Sequence, residues 1–141
     1  MNKTIRIALA AVLALTPALV SADVHNVTVA PLQAFEFLPA HITIEVGDTV
    51  HWEWEGGLHN VVSGTVGEPT EAFVSGLPAG IGTMFEVVFD QEFLDANPVV
   101  DGLYDYHCQP HGYLGMIGSV TVNVTISVDD TSWGGIKALY R

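Results

Sequence analysis

The sequence predicts an all-β protein: a Greek-key β-sandwich of seven to eight short strands with one short helical insertion. Three observations carry that expectation. Residues 49–54 alternate strictly, with Val50, Trp52 and Trp54 on one face and Thr49, His51 and Glu53 on the other, the period-two pattern of a half-buried strand. Segments of that kind recur along the chain, separated by glycine and proline turn signals such as Gly47-Asp48 and Glu55-Gly56-Gly57. No long helical periodicity, internal repeat or second domain interrupts them.

In chain order, the first 22 residues stand apart. Lys3 and Arg6 precede an apolar run over 7–20, and Val20-Ser21-Ala22 places small residues before a cut ahead of Asp23. This is the pattern of a cleaved export signal. The run is shorter than the roughly 18 or more apolar residues a membrane span needs. The domain is expected over 23–126, with no integral span after cleavage and a periplasmic or secreted location.

Strands are expected over 24–30, 41–46, 49–54, 58–63, 71–74, 83–90, 102–108 and 118–126, with Phe35 and Phe37 following the first of them. The polar stretch 91–97 reads as one or two helical turns closed by Pro98. Alternation nominates Trp52, Trp54, Phe85, Val87, Phe89, Tyr104, Tyr106, Val120 and Val122 for the core. Each large apolar side chain contributes roughly 1.5–3 kcal/mol when fully buried, so the fold needs neither disulfide nor metal. In the tail over 127–141, Trp133, Ile136 and Tyr140 recur at helical spacing beside Lys137 and Arg141. It reads as a loose terminal segment, and a short docking tag is the alternative. Asn26-Val27-Thr28 and Asn123-Val124-Thr125 match the N-glycosylation pattern by chance, since both fall in expected strands.

Charge narrows the partners. Of the four Lys and Arg residues, two leave with residues 1–22, so the mature chain sets 2 basic residues against 16 acidic ones, a formal charge of −14. Such a body repels nucleic acid and anionic membranes and is steered toward basic partner surfaces.

The single cysteine is sharper still. An exported chain with one Cys makes no internal disulfide, and a free thiol there is a liability unless it is buried or bound. Cys108 is followed by His111 and Met116 around a turn marked by Pro110, Gly112 and Gly115. Thiolate, imidazole and thioether are thereby offered to a soft metal from one loop between two strands. A second imidazole is needed from elsewhere. His25, His41 and His51 fall on polar strand faces, and alternation turns His107 away from Cys108. His59, at a glycine-rich loop tip before Asn60, is the remaining candidate. Two imidazoles, a thiolate and a long axial thioether form the blue-copper ligand set. Zinc is the competing metal, but its structural sites use Cys and His rather than Met.

Gly57-Leu58-His59-Asn60-Val61-Val62, with Tyr106-His107-Cys108-Gln109-Pro110-His111 and Gly115-Met116-Ile117-Gly118, resembles the plastocyanin/pseudoazurin branch of the cupredoxins. Phe37-Leu38-Pro39 and Gly47-Asp48-Thr49-Val50 add to the likeness, which covers 24–126. The resemblance implies one copper ion on His59, Cys108, His111 and Met116, cycling between Cu(I) and Cu(II) to carry single electrons between redox proteins. It implies that Asn60 ties the two ligand loops together near the sulfur. It also implies that His111 lies at the surface amid apolar residues, here Leu58, Pro110, Tyr113 and Leu114. Two departures stand out: His107 occupies the position of a tyrosine before the ligand cysteine, and 66–100 is longer than in the smallest relatives.

The expected protein is a monomeric electron carrier rather than an enzyme. Oxidases and nitrite reductases hold further copper with His-x-His pairs, and none occurs here. The alternative is an extracytoplasmic copper chaperone or storage protein, and a metal-free adhesion sandwich leaves the ligand spacing unexplained.

Overall fold

The computed structural model describes residues 21–124. The signal expected over 1–22, apart from Ser21 and Ala22, and the tail expected over 127–141 lie outside the described residues.

Two sheets form a sandwich. The first has four strands: β1 (Val24–Val29), β2 (Phe37–Leu38), β4 (Thr49–Trp54) and β7 (Met84–Val88), in the order β2-β1-β4-β7. The second has five: β3 (His41–Glu45), β5 (Val62–Thr65), β6 (Glu68–Val74), β8 (Leu103–His107) and β9 (Ile117–Asn123), in the order β3-β9-β8-β5-β6. The described residues thus hold nine strands; the two-residue β2, at the edge of its sheet, takes the count past eight.

Alternation works as expected in β4, where Val50, Trp52 and Trp54 are buried. Trp52 meets Phe73 and Tyr106 of the opposite sheet, with ring centroids 5.7 and 5.5 Å apart. Such aromatic contacts add about 0.5–1.5 kcal/mol beyond the area they bury. Phe85 and Val87 are only partly buried, because β7 is an edge strand of its sheet and the core covers them from one side.

Helix α1 (Gln91–Ala96) fills the expected insertion. Asp90 caps it by accepting from the Phe93 backbone N–H at 2.8 Å, and Phe93 and Leu94 pack against the core. Such a cap contributes about 1 kcal/mol. One element starts later than the sequence suggests. The strand expected from residue 58 begins at Val62, because Leu58 takes a left-handed conformation (φ 56°). Residues 58–61 therefore form a loop over one end of the sandwich.

The β8–β9 hairpin pairs Tyr106 with Gly118 and His107 with Ile117. The Tyr106 ring lies where a side chain at 118 would begin, so the hairpin closes at that point only with glycine. Its loop, 108–116, sits at the same end of the molecule as the 58–61 loop.

Candidate metal centre

Cys108 follows the last residue of β8, and its backbone N–H donates to the Met116 carbonyl at 3.1 Å, which closes the loop. The Cys108 carbonyl accepts from the N–H groups of His111 (3.2 Å) and Gly112 (2.7 Å), turning the chain so that His111 comes back over the sulfur. A 3-10 turn over Gly112–Leu114 ends at Gly115, whose φ of 94° glycine adopts without penalty. That reversal delivers Met116 to the inside.

His59 arrives from the other loop. Its N–H donates to the Ala79 carbonyl (3.0 Å), and its own carbonyl accepts from the Ala79 N–H (2.8 Å) and the Trp54 Nε1–H (2.8 Å). The ring is therefore anchored to the core through its backbone.

Four donor atoms converge. Cys108 Sγ lies 3.6 Å from His59 Nδ1 and 3.5 Å from His111 Nδ1, the two nitrogens are 3.0 Å apart, and Met116 Sδ is 3.1 Å from His59 Nδ1. Cys108, Met116 and His59 are buried, while His111 is partly exposed. A metal fits this arrangement on its chemistry. Two imidazole nitrogens and two sulfurs face one small space, a donor set suited to a soft metal. A soft cation would be held by the His59 and His111 imidazoles and the Cys108 thiolate, with the Met116 thioether a weaker fourth donor. Among the described residues, His59, Cys108 and His111 form the one group of His, Cys and acidic side chains close enough to share an ion.

Electrostatics prepare the same atoms. Burial, and then the nearby His111, hold the His59 imidazole below its ordinary pKa, so it presents a free lone pair near neutral pH. Burial pushes the Cys108 thiol up, against the pull of the Asn60 and His111 backbone donors. A bound metal deprotonates such a thiol outright.

The family model of copper-binding proteins of the plastocyanin/azurin type matches residues 23–123. The chain belongs to the plastocyanin/azurin family. It is 42% identical to a halocyanin from Natronomonas pharaonis over 104 residues, covering 71% of this chain and 56% of the halocyanin. It is 36% identical to a plastocyanin from Synechococcus sp. over 87 residues, covering 60% of this chain and 62% of that protein. The chain thus spans less than two thirds of the length of these relatives. Among solved structures, a purple cupredoxin from Nitrosopumilus maritimus aligns with a TM-score of 0.53 at 28% identity, covering 70% of this chain and 98% of that one. Copper is the family's metal, and the His, Cys, His group of this cupredoxin suits it.

Around the centre, Asn60 does tie the loops together. Its Oδ1 accepts from the Gln109 N–H at 2.8 Å, and its Nδ2 donates to the Gly76 carbonyl at 3.1 Å. His25, His41 and His51 stay away from the site, bonded to Asp48, Ser119 and Glu86. His107, the last residue of β8, is buried, and its Nδ1–H donates to the Gly64 carbonyl at 2.8 Å. Leu58, Tyr113 and Leu114 are exposed. Sequence reasoning missed Phe35, whose half-exposed ring stacks on His111 at 4.3 Å and 9°. No spacing rule links the two.

Proposed function

We propose that this cupredoxin carries single electrons between redox proteins, with one copper ion held by His59, Cys108, His111 and, more weakly, Met116. The observation that supports the reading most is the convergence of two Nδ1 atoms, a thiol and a thioether within 3.0–3.6 Å. Copper supplies the Cu(I)/Cu(II) couple, and the protein supplies the frame. Cys108 and Met116 sit at the two ends of one hydrogen-bonded loop, and His59 is fixed to the core, so the donors have little room to move. Small movement means a small reorganisation penalty when the charge changes. The backbone N–H groups of Asn60 and His111 act on the Cys108 sulfur, where such bonds tune potential.

His111 is the only partly exposed member, and Leu58, Pro110, Tyr113 and Leu114 of the two ligand loops are exposed. It serves as the exit for the electron, and these exposed apolar residues serve as the docking patch. No Lys or Arg occurs among the described residues, so the partners carry basic surfaces. The chain works as a monomer outside the cytoplasm, with 1–22 removed on export, 23–126 as the domain and 127–141 as a tail.

Copper titration followed by visible spectroscopy tests the reading. A strong thiolate-to-Cu(II) charge-transfer band is expected, absent in Cys108→Ser. His111→Ala should slow electron exchange with a partner far more than His51→Ala. A colourless protein that binds Cu(I) alone would instead indicate a chaperone or store.

A further inference from the structure

The first residue the structure ties to the sandwich is the one at which the export reading places the new amino terminus. The Asp23 N–H donates to Asp48 Oδ1 at 2.8 Å, and the Asp23 carbonyl accepts from the Thr49 N–H at 2.8 Å. The β1–β4 ladder starts one residue later, with Val24 opposite Thr49. Ser21, Ala22 and Asp23 are exposed, whereas Asp48 is 3% exposed. A buried carboxylate thus faces the chain nitrogen at the expected cut.

Asp48 also accepts from the Glu45 N–H (2.9 Å) and meets His25 Nε2 (2.8 Å). Burial alone would raise its carboxyl; the Asp23 and Glu45 amides with His25 outweigh burial and hold it below the ordinary value, so it is an anion at neutral pH. Its charge has no permanent counter-charge among the described residues, which include no Lys or Arg. His25 supplies one only when protonated. A buried anion so placed is costly unless paired.

We propose that Asp48 is a built receptor for the mature amino terminus: cleavage before Asp23 creates an α-ammonium that pairs with the buried Asp48 carboxylate. The inference rests on the export reading above. Hydrolysis of the Ala22–Asp23 peptide bond by a leader peptidase adds one water. The carboxylate leaves on Ala22, and the nitrogen of Asp23 takes up protons as an ammonium, the form an α-amino group with a pKa of about 7.7–8.0 holds at neutral pH. The nitrogen need not move, because the Thr49 bond to the Asp23 carbonyl keeps the residue in place. Exposure of Asp23 leaves the other ammonium hydrogens open to water. Processing therefore replaces a neutral donor with a charged one, roughly doubling the strength of that bond. The finished chain is more stable than its precursor.

Two measurements test this. The mass of the protein recovered outside the cytoplasm should correspond to a chain beginning at Asp23. Melting temperatures should then be compared for the copper-loaded chain 23–141 with a free amino terminus, the same chain retaining Ala22, and the same chain acetylated on Asp23. Both altered forms keep the Asp23 N–H; acetylation removes the charge, and retained Ala22 moves it one residue away from Asp48. They should melt about 4–8 °C lower, the shift expected from roughly one charge-assisted bond in a domain near 100 residues. In Asp48→Asn the three forms should melt together; if that variant does not fold, acetylation remains a complete test because it changes no side chain. Equal melting of the three unsubstituted forms overturns the pairing and leaves the export reading standing. A chain that begins elsewhere overturns the cleavage point, and one that keeps its leader overturns both readings.

Discussion

Replacing Phe35 by leucine isolates the stacking contact on His111. The rings lie 4.3 Å apart and 9° from parallel, and Phe35 also leans toward His59 at 6.0 Å. An aromatic pair contributes about 0.5–1.5 kcal/mol beyond burial. Half of Phe35 faces solvent, so the lower part of that range applies, about 0.5–1 kcal/mol. Leucine keeps most of the apolar cover and loses the π contact, leaving the His111 ring freer to turn its Nδ1 away. Copper affinity, read by chelator competition, should fall about 2–5-fold, since about 1.4 kcal/mol corresponds to tenfold. The visible band should shift, while Tm changes little. Phe35→Tyr should behave as the parent does. Unchanged affinity and spectrum in Phe35→Leu, or equal losses in the tyrosine variant, would refute the claim that stacking positions His111.

Asp48→Asn should carry a pH signature. The folded carboxyl sits below its unfolded value of about 3.9, so its stabilisation is complete above that value and is lost as pH falls through the folded one. The difference in Tm between parent and variant should be full at pH 6–7 and shrink below about pH 4; a difference that grows in acid would contradict the sign. Gly118→Ala puts a methyl group into the Tyr106 ring and should cost about 1–3 kcal/mol in urea unfolding, whereas alanine at Gly57, with open space around it, should cost far less. Leu58→Ser and Leu114→Ser alter exposed side chains. Stability should stay within about 0.5 kcal/mol while electron exchange with a partner slows; unchanged exchange in both would move the docking patch elsewhere.

Much of the fold was legible because a strand encodes its inside and outside in a two-residue repeat. Residues 49–54 form the expected strand to the residue, and the Asp90 cap with Pro98 frames the expected helix. The repeat was less informative at 58–61. There Leu58 and His59 alternate acceptably for a strand, but the left-handed turn at Leu58 and the Ala79 bridge hold the segment as a loop. Phe85 and Val87 alternate correctly as well. Their partial exposure follows from an edge position that local sequence does not specify.

By itself the sequence determined which atoms the 108–116 loop offers, since Cys108, His111 and Met116 are bound to one another by local turn chemistry. The sequence nominated His59, but only the tertiary structure decided that it and Phe35 meet them. His59 lies 49 residues before Cys108, and Phe35 comes from a different sheet connection. These reach the sulfur because β5 pairs with β8 and the two sheets close over a shared core. Sheet order is a long-range choice among strands that look alike locally, so no spacing along the chain encodes it.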